Sequence, residues 1–212
     1  MNELQLNTIE SYNKVAYEFF ETIAKLDNYN RTYDELITKL NENSSILDLA
    51  CGPGQISKYI SRKISVEITG VDLSDSMLKI AQQEMPVATF YKHSIVNFKS
   101  DKKFHAVLIG FGIPYLDKSQ TEECIKNASN LLFENQFLYI SFMSGEGSRV
   151  EKTSFGGDNK FILYFHNKED IKNILEVNDL KIVNEYELDY QEKDGSISKD
   201  IIFIGQKFNK LE

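Results

Sequence analysis

From residue 45 onward, short apolar runs of strand length alternate with stretches of helical periodicity, and few architectures accommodate that rhythm. Strands are expected at 45–50, 66–72, 87–91, 104–110 and 136–143, with helices at 55–63, 75–84 and 120–133 between them. Strand, helix and strand in succession form the βαβ unit of a parallel sheet covered on both faces. Ser119-Gln120-Thr121-Glu122 has the form of a capping box for the third of these helices, and Asn167 with Asp170 opens a last one. The C-terminus then changes character. Leu180, Ile182, Asn184, Tyr186, Leu188 and Tyr190 alternate, Asp194-Gly195 supplies a turn, and Ile202 and Ile204 resume the alternation towards Phe208. Two long strands joined by a tight turn run antiparallel. Ahead of the sheet, Tyr12, Val15, Ala16, Phe19, Phe20, Ile23 and Leu26 follow helical spacing with Ser11 as N-cap. A second helix is expected from Thr32, where Thr32-Tyr33-Asp34-Glu35 matches a capping box.

The segment Ile46-Leu47-Asp48-Leu49-Ala50-Cys51-Gly52-Pro53-Gly54-Gln55-Ile56 is the most informative in the chain. It reads as a buried strand entering a glycine loop and then a helix. Two glycines spaced by one residue let a ligand lie against the main chain, close to the positive end of the helix that follows. Pro53 brings no amide hydrogen, so the donors are the amides around Gly52, Gly54 and Gln55.

Two carboxylates flank this loop in sequence or in space. Asp72 ends the second strand in Thr69-Gly70-Val71-Asp72-Leu73-Ser74, and an ionised carboxylate there can accept from two hydroxyls at once, as a ribose requires. Asp48 sits within an apolar strand, where an unpaired charge is costly, so loop amides or a ligand cation are expected to satisfy it. A nicotinamide-dependent oxidoreductase is one reading of a strand, a glycine loop and an acid ending the second strand. Against it, Gly52-Pro53-Gly54-Gln55-Ile56-Ser57 offers Ser57 where a third glycine belongs, and Asp48 has no part to play.

Asp48-Leu49-Ala50-Cys51-Gly52-Pro53-Gly54 followed by Gly70-Val71-Asp72-Leu73-Ser74-Asp75-Ser76-Met77-Leu78 resembles the class I S-adenosylmethionine-dependent methyltransferases, in their small-molecule group. The resemblance implies an α/β, Rossmann-like doubly wound sheet of seven strands, mostly parallel with an antiparallel C-terminal strand, plus the N-terminal helices. It also implies S-adenosylmethionine as cofactor and methyl transfer to a small-molecule acceptor by in-line displacement. Carried over residue by residue, the loop of Asp48, Ala50, Cys51, Gly52, Gly54 and Gln55 would cradle the methionine part, with Asp48 near its amino group. Asp72 would hold the ribose hydroxyls, and Leu73 and Met77 would pack on adenine. Relatives often place an acid after the third strand; here Ser94 occupies that place, with the Ile95 amide beside it. Gly110 would offer its carbonyl to the cofactor's amino group, Phe111 would lie near the transferable methyl, and Tyr12 would close over the cofactor. A protein that binds the cofactor without transferring its methyl is the alternative reading.

Composition narrows the partners. The 212 residues carry 32 acidic and 24 basic side chains, a net charge of −8, with the bases scattered singly or in pairs. Nucleic acid is an unfavourable partner for such a surface. Two distant cysteines, Cys51 and Cys124, suit a reducing compartment, and the absence of a leader-like N-terminus or a 20-residue apolar run leads to the expectation of a cytoplasmic protein with no membrane partner. No His/Cys/carboxylate spacing suggests a metal.

The chain is read as a single domain, with a helical cap at 1–43, a cofactor-binding half at 44–144, a candidate substrate lid at 145–166 and a C-terminal helix and hairpin at 167–212. The lid reading rests on Ser144-Gly145-Glu146-Gly147-Ser148-Arg149 through Phe155-Gly156-Gly157. Among the three histidines, His166 is the candidate general base, with a structural place beside the Asn167 cap as its competing role. His105 is assigned a structural or exposed place, Tyr17 a place in the core, and Arg31 a solvated one. The acceptor and the oligomeric state are not encoded in any motif.

Overall fold

The computed structural model describes residues 3–152, 160–191, 195 and 197–208. The Phe155–Gly157 part of the candidate lid and Asp194 of the C-terminal turn lie outside the described residues.

Seven strands form one sheet: β1 (Ser44–Leu49), β2 (Val66–Asp72), β3 (Thr89–Lys92), β4 (Phe104–Gly110), β5 (Leu132–Met143), β8 (Leu180–Gln191) and β9 (Ile197–Lys207). Their order is β3-β2-β1-β4-β5-β9-β8. β3, β2, β1, β4 and β5 are parallel, and β9 runs antiparallel to both β5 and β8. The expected doubly wound sheet with an antiparallel C-terminal strand is therefore present. A separate antiparallel pair, β6 (Ser148–Lys152) and β7 (Lys160–Tyr164), lies in the segment between β5 and the last helix.

Among the described residues six α-helices accompany the strands: α1 (Glu3–Ile23), α2 (Asn30–Ile37), α3 (Gln55–Ser61), α4 (Asp75–Glu84), α5 (Lys118–Leu131) and α6 (Lys168–Val177). Successive side chains of a strand face opposite ways, and β4 divides its apolar residues accordingly. Ala106 and Leu108 join Tyr33, Leu36, Ile46, Ile60 and Tyr139. Val107 and Ile109 join Leu47, Leu49, Val71 and the apolar faces of α5 and α6. Burial on both faces explains why β1 and β4 read as nearly continuous apolar runs.

Three helix starts differ from expectation, two because tertiary contacts claim the expected capping side chain and one because an earlier residue forms the box. α1 begins at Glu3, so Ser11 lies mid-helix and its hydroxyl donates to the Lys160 carbonyl at 3.1 Å. α2 begins at Asn30 with Tyr29 as N-cap, while the Thr32 hydroxyl donates to the Tyr29 carbonyl at 2.7 Å and pairs with the Tyr139 hydroxyl at 2.9 Å. In α5 the capping box is formed by Asp117 and Gln120, two residues before the expected Ser119. β5 starts at Leu132 rather than 136, because the strand passes a left-handed Asn135 (φ 65°) and a register irregularity against β4. Asn167 does cap α6, accepting from the Glu169 and Asp170 amides at 2.9 and 3.4 Å.

Candidate functional site

In an open parallel sheet, ligands bind beyond the carboxyl ends of the strands, where neighbouring connections diverge to opposite faces. The order β2-β1-β4 places that point at β1. A cavity of about 420 Å³ opens there, lined by the loops after β1, β2 and β4 and covered by α1. Its volume lies in the range usual for small-molecule and cofactor sites.

The β1 loop turns sharply. Ala50 (φ 61°), Gly52 (φ 53°) and Gly54 (φ 84°) all adopt left-handed backbone. A side chain at Gly52 would project into open space on the cavity floor, whereas one at Gly54 would strike Met85 of the α4 C-terminus. Gly52 therefore leaves room for a ligand, and Gly54 allows the loop to close against α4. Of the residues assigned above to the cofactor, Tyr12, Asp48, Ala50, Cys51, Gly52, Gln55, Asp72, Leu73, Met77, Ser94, Ile95, Gly110 and Phe111 line this one cavity. Gly54 does not, since it serves the turn from behind.

Asp72 joins two loops. Its Oδ2 accepts from the Gly52 amide at 2.9 Å and its Oδ1 from the Ser74 amide at 2.8 Å. Burial raises its pKa, against the lowering effect of the Ser74, Gly52 and Leu73 amides. A carboxylate offers about four lone-pair sites, so these bonds leave it capacity to accept from ligand hydroxyls.

Asp48 is 2 % exposed. The expected loop amides do not satisfy it; instead the Ser57 hydroxyl of α3 donates to its Oδ2 at 2.6 Å. Desolvation pushes its pKa up to about 7, with the Ser57 bond opposing and the Asp72 charge adding to the rise. A cationic ligand group would favour the ionised form and relieve this cost.

α1 is fastened over the opening. Asn13 Oδ1 accepts from the Ser74 hydroxyl at 2.7 Å and the Ser76 amide at 3.2 Å. On the opposite side Thr8 Oγ1 accepts from the Ile162 amide of β7 at 3.1 Å. The Gln5 side-chain amide donates to the Tyr115 carbonyl at 3.0 Å and to Gln120 Oε1 at 2.6 Å. Tyr12 and Tyr115 meet hydroxyl to hydroxyl. Burial is the leading cause that raises both phenols, Tyr115 to about 12, so both stay protonated at neutral pH.

His166 does not line the cavity. It is 7 % exposed, its Nε2 lies 2.9 Å from the Ile113 carbonyl, and its ring packs edge-on to Phe142. Burial lowers its pKa. This arrangement supports the turn after β4 and brings no base to the cavity. His105 is likewise structural, its Nδ1 3.1 Å from the Ser45 amide and 2.9 Å from the Ser45 hydroxyl. Tyr17 is 66 % exposed and does not join the core. Arg31 is exposed, with its guanidinium 5.7 Å from the Tyr186 ring centroid.

The far wall of the cavity carries no sequence motif. Phe19, Ile23 and Leu26 of α1 and its following turn, Tyr29, Tyr33 of α2, and Tyr59 of α3 all line the cavity. Their helical periodicity was visible, but that pattern signals an apolar face without saying whether the face meets a core or a cavity.

Among the described residues, no group of three or more His, Cys, Asp or Glu side chains is placed to hold a metal ion. No helix of the described residues is long and apolar enough to cross a membrane.

Residues 46–135 match the family described as "Methyltransferase domain". Over 136 residues the chain is 29% identical to the 235L protein of Invertebrate iridescent virus 6, covering 64% of this chain and 49% of that protein. Over 88 residues it is 31% identical to a Streptomyces venezuelae protein named dTDP-3-amino-3,4,6-trideoxy-alpha-D-glucopyranose N,N-dimethyltransferase, covering 41% of this chain and 37% of that one. The chain thus spans half the length, or less, of these curated relatives. Among solved structures, an S-adenosylmethionine-dependent methyltransferase from Clostridium acetobutylicum superposes with a TM-score of 0.71 at 20% identity, covering 93% of this chain and 99% of that one.

Proposed function

We propose that this chain is a class I S-adenosylmethionine-dependent methyltransferase that transfers the cofactor's methyl group to a small-molecule acceptor. The observation that carries this reading is the Asp72–Gly52 junction, which sets a half-buried carboxylate with spare acceptor capacity beside a glycine floor open to a ligand. In this reading Asp72 takes the ribose hydroxyls, Leu73, Met77, Ser94 and Ile95 enclose the adenine, and the loop from Ala50 to Gln55 receives the methionine part. Asp48 attracts its ammonium group. The Gly110 carbonyl lies towards the same end, with Phe111 beside the methyl. A small-molecule acceptor agrees with the relative named as an amino-sugar dimethyltransferase and with an acidic chain.

The cofactor, when bound, supplies a methyl group on a positive sulfur for in-line displacement. The chain's part is to orient and enclose. Alignment of reacting groups is worth up to about 7–11 kcal/mol of a barrier. α1, fastened through Asn13 and Thr8, excludes water above the site, and the β6–β7 pair supports α1 from the opposite edge. In this reading the candidate lid at 145–166 acts through its β6–β7 pair, whose Ile162 amide holds Thr8 of α1.

The reading is tested by incubating the protein with methyl-labelled S-adenosylmethionine and fractionated small metabolites. Label in an acceptor together with stoichiometric S-adenosylhomocysteine supports it. Saturable cofactor binding with no product from any fraction favours a non-catalytic binding protein, because fold and cofactor alone do not establish activity.

A further inference from the structure

We propose that the acceptor taken by this cavity is an amine on an apolar, ring-sized body, and that carboxylates and phosphates are refused. This deepens the methyl-transfer reading and rests on it for the reaction, although the binding preference is measurable without it.

The far wall of the cavity is aromatic. Tyr29 meets Phe111 edge to face with ring centroids 5.3 Å apart, and Tyr33 meets Tyr59 in the same manner at 5.5 Å. Phe111 is the residue nearest the end of β4 and belongs to both the cofactor side and this wall. Apolar surface with a few polar groups selects a ring-sized body with one polar function. Phenol faces also attract cations through their quadrupole.

The charges agree in sign. Among the described residues lining the cavity there is no Lys, Arg or His, and the ionisable acids are Asp48 and Asp72. Behind the wall a third acid, Asp200, is 4 % exposed and accepts from the Tyr29 hydroxyl at 2.6 Å. The Tyr29 proton is thereby committed away from the cavity. With Asp48 and Asp72 turned to the cofactor, the far wall offers an anionic acceptor no facing cation, whereas its phenol faces draw an ammonium in. Asn30, half-buried at the start of α2, is the uncharged polar side chain on this wall.

The ammonium first gives one proton to water, and the amine reacts in its free form. Its lone pair forms the nitrogen–carbon bond, the sulfur–carbon electron pair stays on sulfur to give a neutral thioether, and the surplus proton on nitrogen passes to water. No oxidant, metal or further reactant is required.

The test is a set of isosteric probes, benzylamine, benzyl alcohol and benzoate, titrated by calorimetry at pH 7 into the protein alone and saturated with S-adenosylhomocysteine. Benzylamine is expected to bind at least tenfold more tightly than benzoate and no more weakly than the alcohol. In Asn30→Lys, which places a cation on the wall, the order of amine and carboxylate is expected to reverse. Benzoate binding as tightly as benzylamine, the alcohol binding more tightly than the amine, or no probe binding at all overturns the proposal. If S-adenosylhomocysteine fails to bind while the amine preference persists, the methyl-transfer reading falls and the preference stands.

Discussion

The Oδ2 of Asp72 lies 2.9 Å from the Gly52 amide nitrogen, so the acid that ends β2 holds the glycine loop that follows β1. One side chain thus organises the two loops that enclose the cavity floor, and binding and loop order are coupled through it.

The two loop glycines are expected to separate function from stability. Gly54→Ala places a methyl group on left-handed backbone against the terminal methyl of Met85, which can swing aside, and is expected to cost about 1–3 kcal/mol by chemical denaturation with little change in affinity for S-adenosylhomocysteine. Gly52→Ala meets open space and is expected to cost only the backbone strain of about 1–2 kcal/mol. Its larger effect is a weaker hold on S-adenosylhomocysteine. Equal losses of affinity in both variants contradict this assignment.

Asp48 makes stability depend on pH. Its folded pKa of about 7 stands above the ordinary 3.8, so the native state binds the proton more tightly than the unfolded state does. The resulting stabilisation is present below the unfolded value and is lost as pH rises through 7. Asp48→Asn has no such loss. Relative to wild type it is expected to gain about 1–4 kcal/mol between pH 5 and pH 8, read from denaturation midpoints at both pH values. A difference that is constant across this range excludes the account.

An ammonium-bearing ligand settled by Asp48 favours the ionised carboxylate. Binding of S-adenosylhomocysteine near pH 6.5 is therefore expected to release a proton, visible as a binding enthalpy that tracks the ionisation enthalpy of the buffer. The dependence should disappear in Asp48→Asn. Buffer-independent enthalpies in wild type would separate Asp48 from the ligand.

His166 acts on structure. His166→Phe removes the contact to the Ile113 carbonyl and is expected to cost about 1–2 kcal/mol, while affinity for S-adenosylhomocysteine changes less than twofold. A large loss of methyl transfer in a fully folded variant would restore it as a base.

The parallel core was legible because βαβ units leave a strong signal. β2, β4 and α4 match their expected spans, and the C-terminal alternation announced β8 and β9. Capping was less legible, since Ser11 and Thr32 have the right chemistry but are drawn into tertiary contacts, and Ser119 yields to Asp117 two residues earlier. At the site, the loop residues around Gly52 and Asp72 announced themselves through local backbone demands. Tyr29, Tyr33, Tyr59 and Phe19 did not, because their place on the cavity wall follows from how α1 and α2 dock, and apolar spacing is the same for a core and for a pocket.

The central claim is tested most directly by titrating S-adenosylhomocysteine into wild type and Asp72→Ala in a calorimeter, with the melting temperature of each recorded in the same buffer. One site per chain is expected in wild type, and at least a tenfold weaker site in the variant beyond what its altered stability explains. Equal affinity in the two proteins, or no binding to wild type, would contradict it.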